Sequence, residues 1–304
     1  MSLTSKSSER HFIPILSVLA ASVLFATGGA SRAVADFPGT AISVGAWRVF
    51  VGGIGLLIYA RYRYGAAGIK ILVKQPTLWL MGVAVLAYQV TFFIGAARIG
   101  IAMGTLVALG LAPLLAGLLS WWMGVGKPTM QWAICTTIGI AGLALLTSGG
   151  GSKDLVGLVC VTLSGWSYAA FTVLGVKMVR THQLSGGEVL AVAFGIGALL
   201  ASPVVALTSD WVGAPKSIML IIWVGLFATT LAYSLFGIGI SHLPAGTVST
   251  LTLFEPVTST TIGVFVLGET MNPSGWVGCL VIIGALGLLG YFESQNSKKV
   301  VTNA

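Results

Sequence analysis

The chain has 304 residues, of which 56% are hydrophobic and only 8% charged, and its mean hydropathy is +0.97. A soluble domain carries about 25% charged residues, so the polar surface here is too small to cover a soluble core. The net charge of +8 does not ask for a nucleic-acid partner, because Lys and Arg collect in the cytoplasmic loops of membrane proteins.

About 20 apolar residues of helix cross a bilayer, and long charge-free runs predict ten such spans in chain order. The first covers about 12–30, the second about 40–60, the third about 76–96 and the fourth about 100–123. The second contains a charge, Arg48. The fifth covers about 129–148, the sixth about 155–176 and the seventh about 188–207. The run 217–254 is too long for one span and breaks at His242-Leu243-Pro244. That gives an eighth span at about 218–240, a ninth at about 245–267 and a tenth at about 274–292. Short loops separate them, marked by Lys127-Pro128, Gly149-Gly150-Gly151 and Asn272-Pro273. Lys6, Arg10, the apolar stretch from Phe12 to Ala26, and Ala33-Val34-Ala35 also have the form of a secretory signal. The repeat described next requires the first span as a permanent member.

Basic residues set the orientation. With the N-terminus in the cytoplasm, Lys6, Arg10, Arg61, Arg63, Lys70, Lys74, Lys127, Lys177, Arg180, Lys298 and Lys299 fall inside. Only Arg32, Arg98, Lys153 and Lys216 fall outside. Both termini are therefore expected in the cytoplasm. The chain also resembles itself at an offset of about 143 residues. Pro113 matches Pro256, Ala102-Met103-Gly104-Thr105 matches Pro244-Ala245-Gly246-Thr247, and Gln131-Trp132 matches Gly275-Trp276. Five spans per repeat is an odd number, so the second copy enters the membrane from the opposite side. The expectation is an all-α membrane protein. Its ten transmembrane helices form two inverted five-helix repeats, 1–150 and 151–304, around a central cavity, an arrangement suited to alternating access.

Polar residues inside the spans mark a candidate site. Mid-helix prolines free the carbonyl four residues back, and paired interruptions in corresponding spans point to a carrier's binding site. Pro113 and Pro256 are the candidate kinks or gates. The ninth span is rich in hydroxyls, with Thr247, Thr250, Thr258 and Thr261 on one face beside Phe254, an arrangement expected to meet water or substrate. Tyr88, Gln89 and Phe92 in the third span, Trp166 and Tyr168 in the sixth, and Thr230 and Tyr233 in the eighth complete an aromatic, sparsely polar pocket with Thr252 and Glu255. Trp79, Trp121, Trp122, Trp132, Trp211, Trp223 and Trp276 suit an interfacial belt. Arg48 and Glu255 are the two embedded ionisable residues, costly in lipid. They can pair with each other, or Glu255 can bind a proton or a substrate amine. Gly100-x-x-x-Gly104 and Gly284-x-x-Gly287-x-x-Gly290 allow close helix contact or dimerisation.

No Gly-x-Ser-x-Gly elbow, His-Glu-x-x-His pair or carboxylate pair is present, so an enzyme is not expected. Cys135, Cys160 and Cys279 lack paired spacing, and neither a metal nor a cofactor is expected. The expected partners are a small-molecule substrate and the lipid bilayer, with the chain a monomer or homodimer. A channel, the non-enzyme rival, would show charge rings or a carbonyl filter.

Leu226-Phe227-Ala228-Thr229-Thr230-Leu231-Ala232-Tyr233, Leu243-Pro244-Ala245-Gly246 and Phe254-Glu255-Pro256-Val257 carry a family resemblance. It continues through Leu267-Gly268-Glu269 and Gly275-Trp276-Val277-Gly278 to Gly284, with Arg48 and Trp166 to Tyr168 also fitting. The chain resembles the drug/metabolite transporter superfamily in its EamA-like family. It departs at Gly126-Lys127, where Gly-Glu is common, and at Phe25, where tryptophan is usual. The resemblance implies an inverted-repeat carrier of the bacterial inner membrane that exports amino acids, aromatic ones included, or related metabolites. A multidrug or other metabolite carrier of the same superfamily is the alternative.

Overall fold

A computed structural model describes residues 3–34, 40–147, 154–268 and 270–302. Ala35, Gly149-Gly150-Gly151, Lys153 and Glu269 lie outside the described residues, as do the side chains of Lys6, Arg10, Arg32, Lys298 and Lys299. Every regular element among the described residues is helical. In chain order they are α1 (Leu3–Val34), α2 (Ala41–Tyr64), α3 (Ala67–Leu72), α4 (Pro76–Ile99), α5 (Ile101–Trp122), α6 (Met130–Leu146) and α7 (Leu155–His182). There follow α8 (Gly186–Leu207), α9 (Pro215–Ile222), a π-helical segment (Trp223–Leu231), α10 (Ala232–His242), α11 (Ala245–Leu251), α12 (Phe254–Leu267) and α13 (Pro273–Thr302).

Eight helical segments are long and apolar enough to cross a membrane: Ile42–Tyr64, Pro76–Ile99, Met103–Trp122, Leu155–His182, Gly186–Leu207, Pro215–His242, Ala245–Leu267 and Pro273–Gln295. Two shorter apolar helices, Phe12–Gly28 and Met130–Leu146, overlie the first and fifth predicted spans. Side-chain caps set many of the starts. Thr40 accepts from the Ser43 amide, Thr129 from Trp132 and Asp154 from Gly157, each satisfying an orphan N–H of a first turn. Ser185 and Glu188 form a reciprocal capping box, so α8 begins at Gly186, ahead of the charge that delimits the predicted span. Likewise α7 runs past Lys177 to His182, because a helix does not stop where the hydrocarbon does. The short α3 was not expected; its six residues hold Lys70 in the last turn.

Two predicted spans are not simple helices. The eighth consists of α9, the π segment and α10. The ninth is broken between α11 and α12 at Thr252 and Leu253. α5, by contrast, is continuous through Pro113.

Packing is between long neighbours: α2 on α8 and the π segment, α4 on α7 and α8, α5 on α7 and α11, α6 on α13, and α1 on α10 and α12. One close approach needs glycine on both sides. A Cβ at Gly278 would sit 2.6 Å from the Gly142 carbonyl, and one at Gly142 would sit 3.0 Å from the Gly278 carbonyl. These residues bring α6 against α13. Gly284 and Gly287, singled out for close contact, meet nothing within 4 Å in the chain. Gly100 serves differently too: with φ of 89° it makes the turn between α4 and α5, a backbone conformation that favours glycine.

Candidate functional site

The middle of the bundle is polar because Arg48 lies there. From α2 its Nε donates to Thr229 Oγ1 (3.0 Å) and its Nη2 to the Ala228 carbonyl (3.1 Å). Both partners belong to the π segment. Wide turns of this kind leave carbonyls off the regular i→i−4 ladder and recur at functional sites. The threonines there help to satisfy the backbone: Thr229 Oγ1 donates to the Val224 carbonyl (2.7 Å), and Thr230 Oγ1 shares its proton between Gly52 (3.1 Å) and Gly225 (3.2 Å). Gly52 lets α2 come this close, since a Cβ there would lie 2.3 Å from Thr229 Cγ2.

Three tyrosines from three helices meet beside this clamp. Tyr88 of α4 and Tyr233 of α10 share a hydroxyl–hydroxyl hydrogen bond of 2.8 Å. The Tyr168 ring of α7 stands edge-on to Tyr88, with centroids 5.9 Å apart. Its hydroxyl reaches Thr252 Oγ1 at 3.4 Å. Phe25, Phe171, Phe194 and Phe236 surround Tyr233, with centroids between 4.1 Å and 6.1 Å. Offset and edge-on arrangements of this kind are the favoured ones for aromatic rings. Arg48 and Glu255 both act electrostatically on Tyr88, and Arg48 on Glu255. The two charges nevertheless make no ion pair: among the described residues the one salt bridge is Arg98–Asp154, at 3.4 Å.

The break at Thr252 is the local answer to Pro256. Proline has no N–H to offer the Thr252 carbonyl. The Glu255 amide bonds that carbonyl instead, at 2.9 Å, and the Leu253 amide bonds Thr250 at 3.0 Å. Thr252 Oγ1 donates to Ser249 at 2.7 Å. Protein groups thus satisfy the freed carbonyl, and the tight three-residue spacing ends α11.

The structure brings Tyr88, Tyr168, Tyr233, Thr252 and Glu255 into one neighbourhood and places Thr230 under the Arg48 clamp. Gln89 turns the other way. It lines a crevice with Ile42, Val49, Leu86, Phe93 and Val204, and its buried Nε2 has no partner among the described residues. Phe92 packs near Ile99, Ala108 and Val161. Trp166 is 46% exposed, on one stripe of α7 with Val159 and Leu163. Pro113 lies within α5.

Other expectations need correcting. Trp132 is not a belt residue; it is 8% exposed. Its ring fills a slot left by Gly117 and Gly246, where added Cβ atoms would come within 2.3 Å and 2.9 Å of it. Its Nε1 donates to Thr250 Oγ1 (3.1 Å), which also bonds Thr136 Oγ1 (2.8 Å). The hydroxyl face of the ninth span is therefore committed within the protein. Thr247 donates to Glu293 Oε1 (2.6 Å), and Thr258 and Thr261 donate to carbonyls four residues back. Phe194 and the Trp132 partner Thr136 were missed as well; the paired glycines 117 and 246 were the available signal.

A many-helix membrane protein with a tyrosine cluster and unpaired opposite charges at its centre belongs to the class that moves small solutes. Residues 155–291 match the EamA-like transporter family. An uncharacterized transporter, YwfM of Bacillus subtilis (strain 168), is 34% identical over 295 residues, 95% of this chain and 97% of that one. This chain belongs to the EamA-like transporter family of the drug/metabolite transporter superfamily. The threonine/homoserine exporter RhtA of Escherichia coli (strain K12) is 28% identical over 159 residues, covering 51% of this chain and 52% of that protein. A solved structure titled "Crystal structure of protein" superposes with a TM-score of 0.76, covering 90% of this chain and 95% of the other at 19% identity. That likeness concerns the fold.

Proposed function

We propose that this transporter is a secondary carrier of the bacterial inner membrane that exports α-amino acids by alternating access. The observation that carries the reading is the centre of the bundle. Arg48 and Glu255 act on the same tyrosine cluster without pairing with each other. A zwitterion fits such a site: its carboxylate meets the guanidinium fork, and its ammonium meets Glu255. Tyr88, Tyr168, Tyr233 and Thr252 orient it by hydroxyls, while Thr230 holds the wall that carries Arg48. Gln89, Phe92 and Trp166 line its path in this reading, and Pro113 and Pro256 mark where the helices flex. Substrate enters by parting the Tyr88–Tyr233 hydrogen bond. The name of the relative RhtA, an amino-acid exporter, lends support.

The same reading has ten spans in two inverted repeats, 1–150 and 151–304, with both termini cytoplasmic. The packing pattern supports it. Exchange of the halves turns the contact of α4 with α7 into that of α1 with α10, and the contact of α5 with α7 into that of α1 with α12; both partners are present. The contacts α2 with α8, α6 with α13 and α5 with α11 map onto themselves.

Purified protein in vesicles, loaded with unlabelled and challenged with labelled threonine, homoserine or an aromatic amino acid, tests the function. Counterflow of one of them, lost in Arg48→Gln and Glu255→Gln, is expected. Transport of organic cations alone, unaffected by both substitutions, points to the multidrug alternative instead.

A further inference from the structure

A second polar cleft lies where α5, α7 and α13 end and α6 and α11 begin, away from the tyrosine cluster. It encloses about 400 Å³ of open space, within the range of small-molecule sites. Ser120, Lys127, Trp132, Arg180, Thr247 and Glu293 line it. Its charges are of both signs and are kept apart. Arg98–Asp154 is the one salt bridge among the described residues, so Glu293 pairs with neither Lys127 nor Arg180, although all three face one cleft. Each is held by something else. Glu293 Oε1 accepts from Thr247 at 2.6 Å, and Arg180 Nη1 donates to the Val125 carbonyl of the α5–α6 loop. A further group is unspent: Ser120 is 6% exposed and its Oγ has no partner among the described residues. Buried polar atoms normally have partners, and one that lacks them at the wall of a cleft calls for a ligand.

We propose that this cleft is a second binding site, which takes the carboxylate of a zwitterionic amino acid between Arg180 and Lys127 and its ammonium at Glu293. The inference rests on the amino-acid reading of the central site and deepens it. A simple anion is repelled by Glu293 and a simple cation by Lys127 and Arg180; a molecule carrying both charges is attracted by all three. By the charge bias of the loops this end of the bundle faces the cytoplasm, so the cleft receives the solute before it reaches the tyrosines. Electrostatic capture at such a mouth raises the local substrate concentration.

Protection from a thiol reagent tests the site directly. A Cβ at Gly126, on the cleft wall, meets nothing within 4 Å, so Gly126→Cys adds a probe without crowding. The native cysteines lie in helices, Cys135 and Cys279 of them buried, and the parental chain serves as blank for a hydrophilic maleimide. The full chain is placed in vesicles of phosphatidylcholine and phosphatidylglycerol. Threonine at ten times its half-saturating concentration should slow labelling about tenfold, whereas acetate and methylamine should not. Protection should vanish in Arg180→Gln and Glu293→Gln and persist in Arg180→Lys. Undiminished labelling in vesicles that transport threonine overturns the cleft and leaves the central site standing. Protection without transport keeps the cleft and removes the carrier reading; absence of both removes both. Protection that follows added phosphatidylethanolamine, whose headgroup also carries both charges, rather than threonine, overturns the proposal in favour of lipid.

Discussion

α5 and the pair α11–α12 each carry an internal proline, at positions that correspond in the sequence repeat, and they respond to it differently. α5 runs from Ile101 to Trp122 without interruption at Pro113. α11 stops at Leu251 and α12 restarts at Phe254, ahead of Pro256. The neighbours account for the difference. Leu109, Gly110, Leu111 and Ala112 precede Pro113 and offer no polar side chain. Thr252, Leu253, Phe254 and Glu255 precede Pro256, and there Thr252 and Leu253 take ψ of −9° and shorter-range bonds close the turn. A proline removes one hydrogen bond; whether the helix yields depends on what can replace it nearby.

The largest expected effect tests what ties the two helices together. Trp132 sits against Gly117 of α5 and Gly246 of α11. Trp132→Ala should lower stability by about 3–5 kcal/mol, read as a fall in the detergent melting temperature. A loss under about 1 kcal/mol would mean that the slot collapses freely. Next comes the asymmetry of the prolines. Pro256→Ala should slow transport about tenfold, about 1.4 kcal/mol of barrier, with a smaller change in melting. Pro113→Ala should slow it less than about threefold. Equal effects on vesicle uptake would erase the distinction between the helices. Thr252→Val removes the hydroxyl that bonds Ser249 and meets Tyr168. It should cost about 1 kcal/mol by the same melting measurement and mark the broken turn as side-chain supported. The smallest effect concerns α5 itself. A Cβ at Gly110 would make ordinary contacts at 3.7 Å and 3.9 Å, so Gly110→Ala should be neutral or stabilise by up to about 1 kcal/mol. Clear destabilisation would show that α5 needs flexibility before Pro113.

Much of this architecture is legible because lipid allows few backbones. Charge-free runs locate every apolar helix, and Arg48 and Glu255 stand out as charges too costly to face lipid. The errors have physical causes. Trp132 has the composition of a belt residue, and only the glycines on two other helices make room to bury it. The hydroxyls of the ninth span are periodic, but periodicity gives a shared face and not what lies opposite. The π segment reads as an ordinary apolar run, since its geometry depends on Arg48 arriving from α2 and on threonines that bond carbonyls five residues back. Tyr88, Tyr168 and Tyr233 were expected from depth alone; their neighbours Phe194 and Phe236 carry no polar atom to mark them.

The wide turn between α9 and α10 also acts as a phase shifter. Each residue of an α-helix advances the chain about 100° around its axis, and a turn closed five residues back accommodates one residue more than a regular turn. Shortening Trp223–Leu231 by a single residue would therefore permit a regular helix while swinging everything after it by about 100°. Tyr233 would leave Tyr88, although no residue of either helix packing face had been substituted. Length in this stretch of sequence is thus under tighter constraint than composition, and an insertion or deletion here would alter the centre of the bundle more than most point substitutions within the segment.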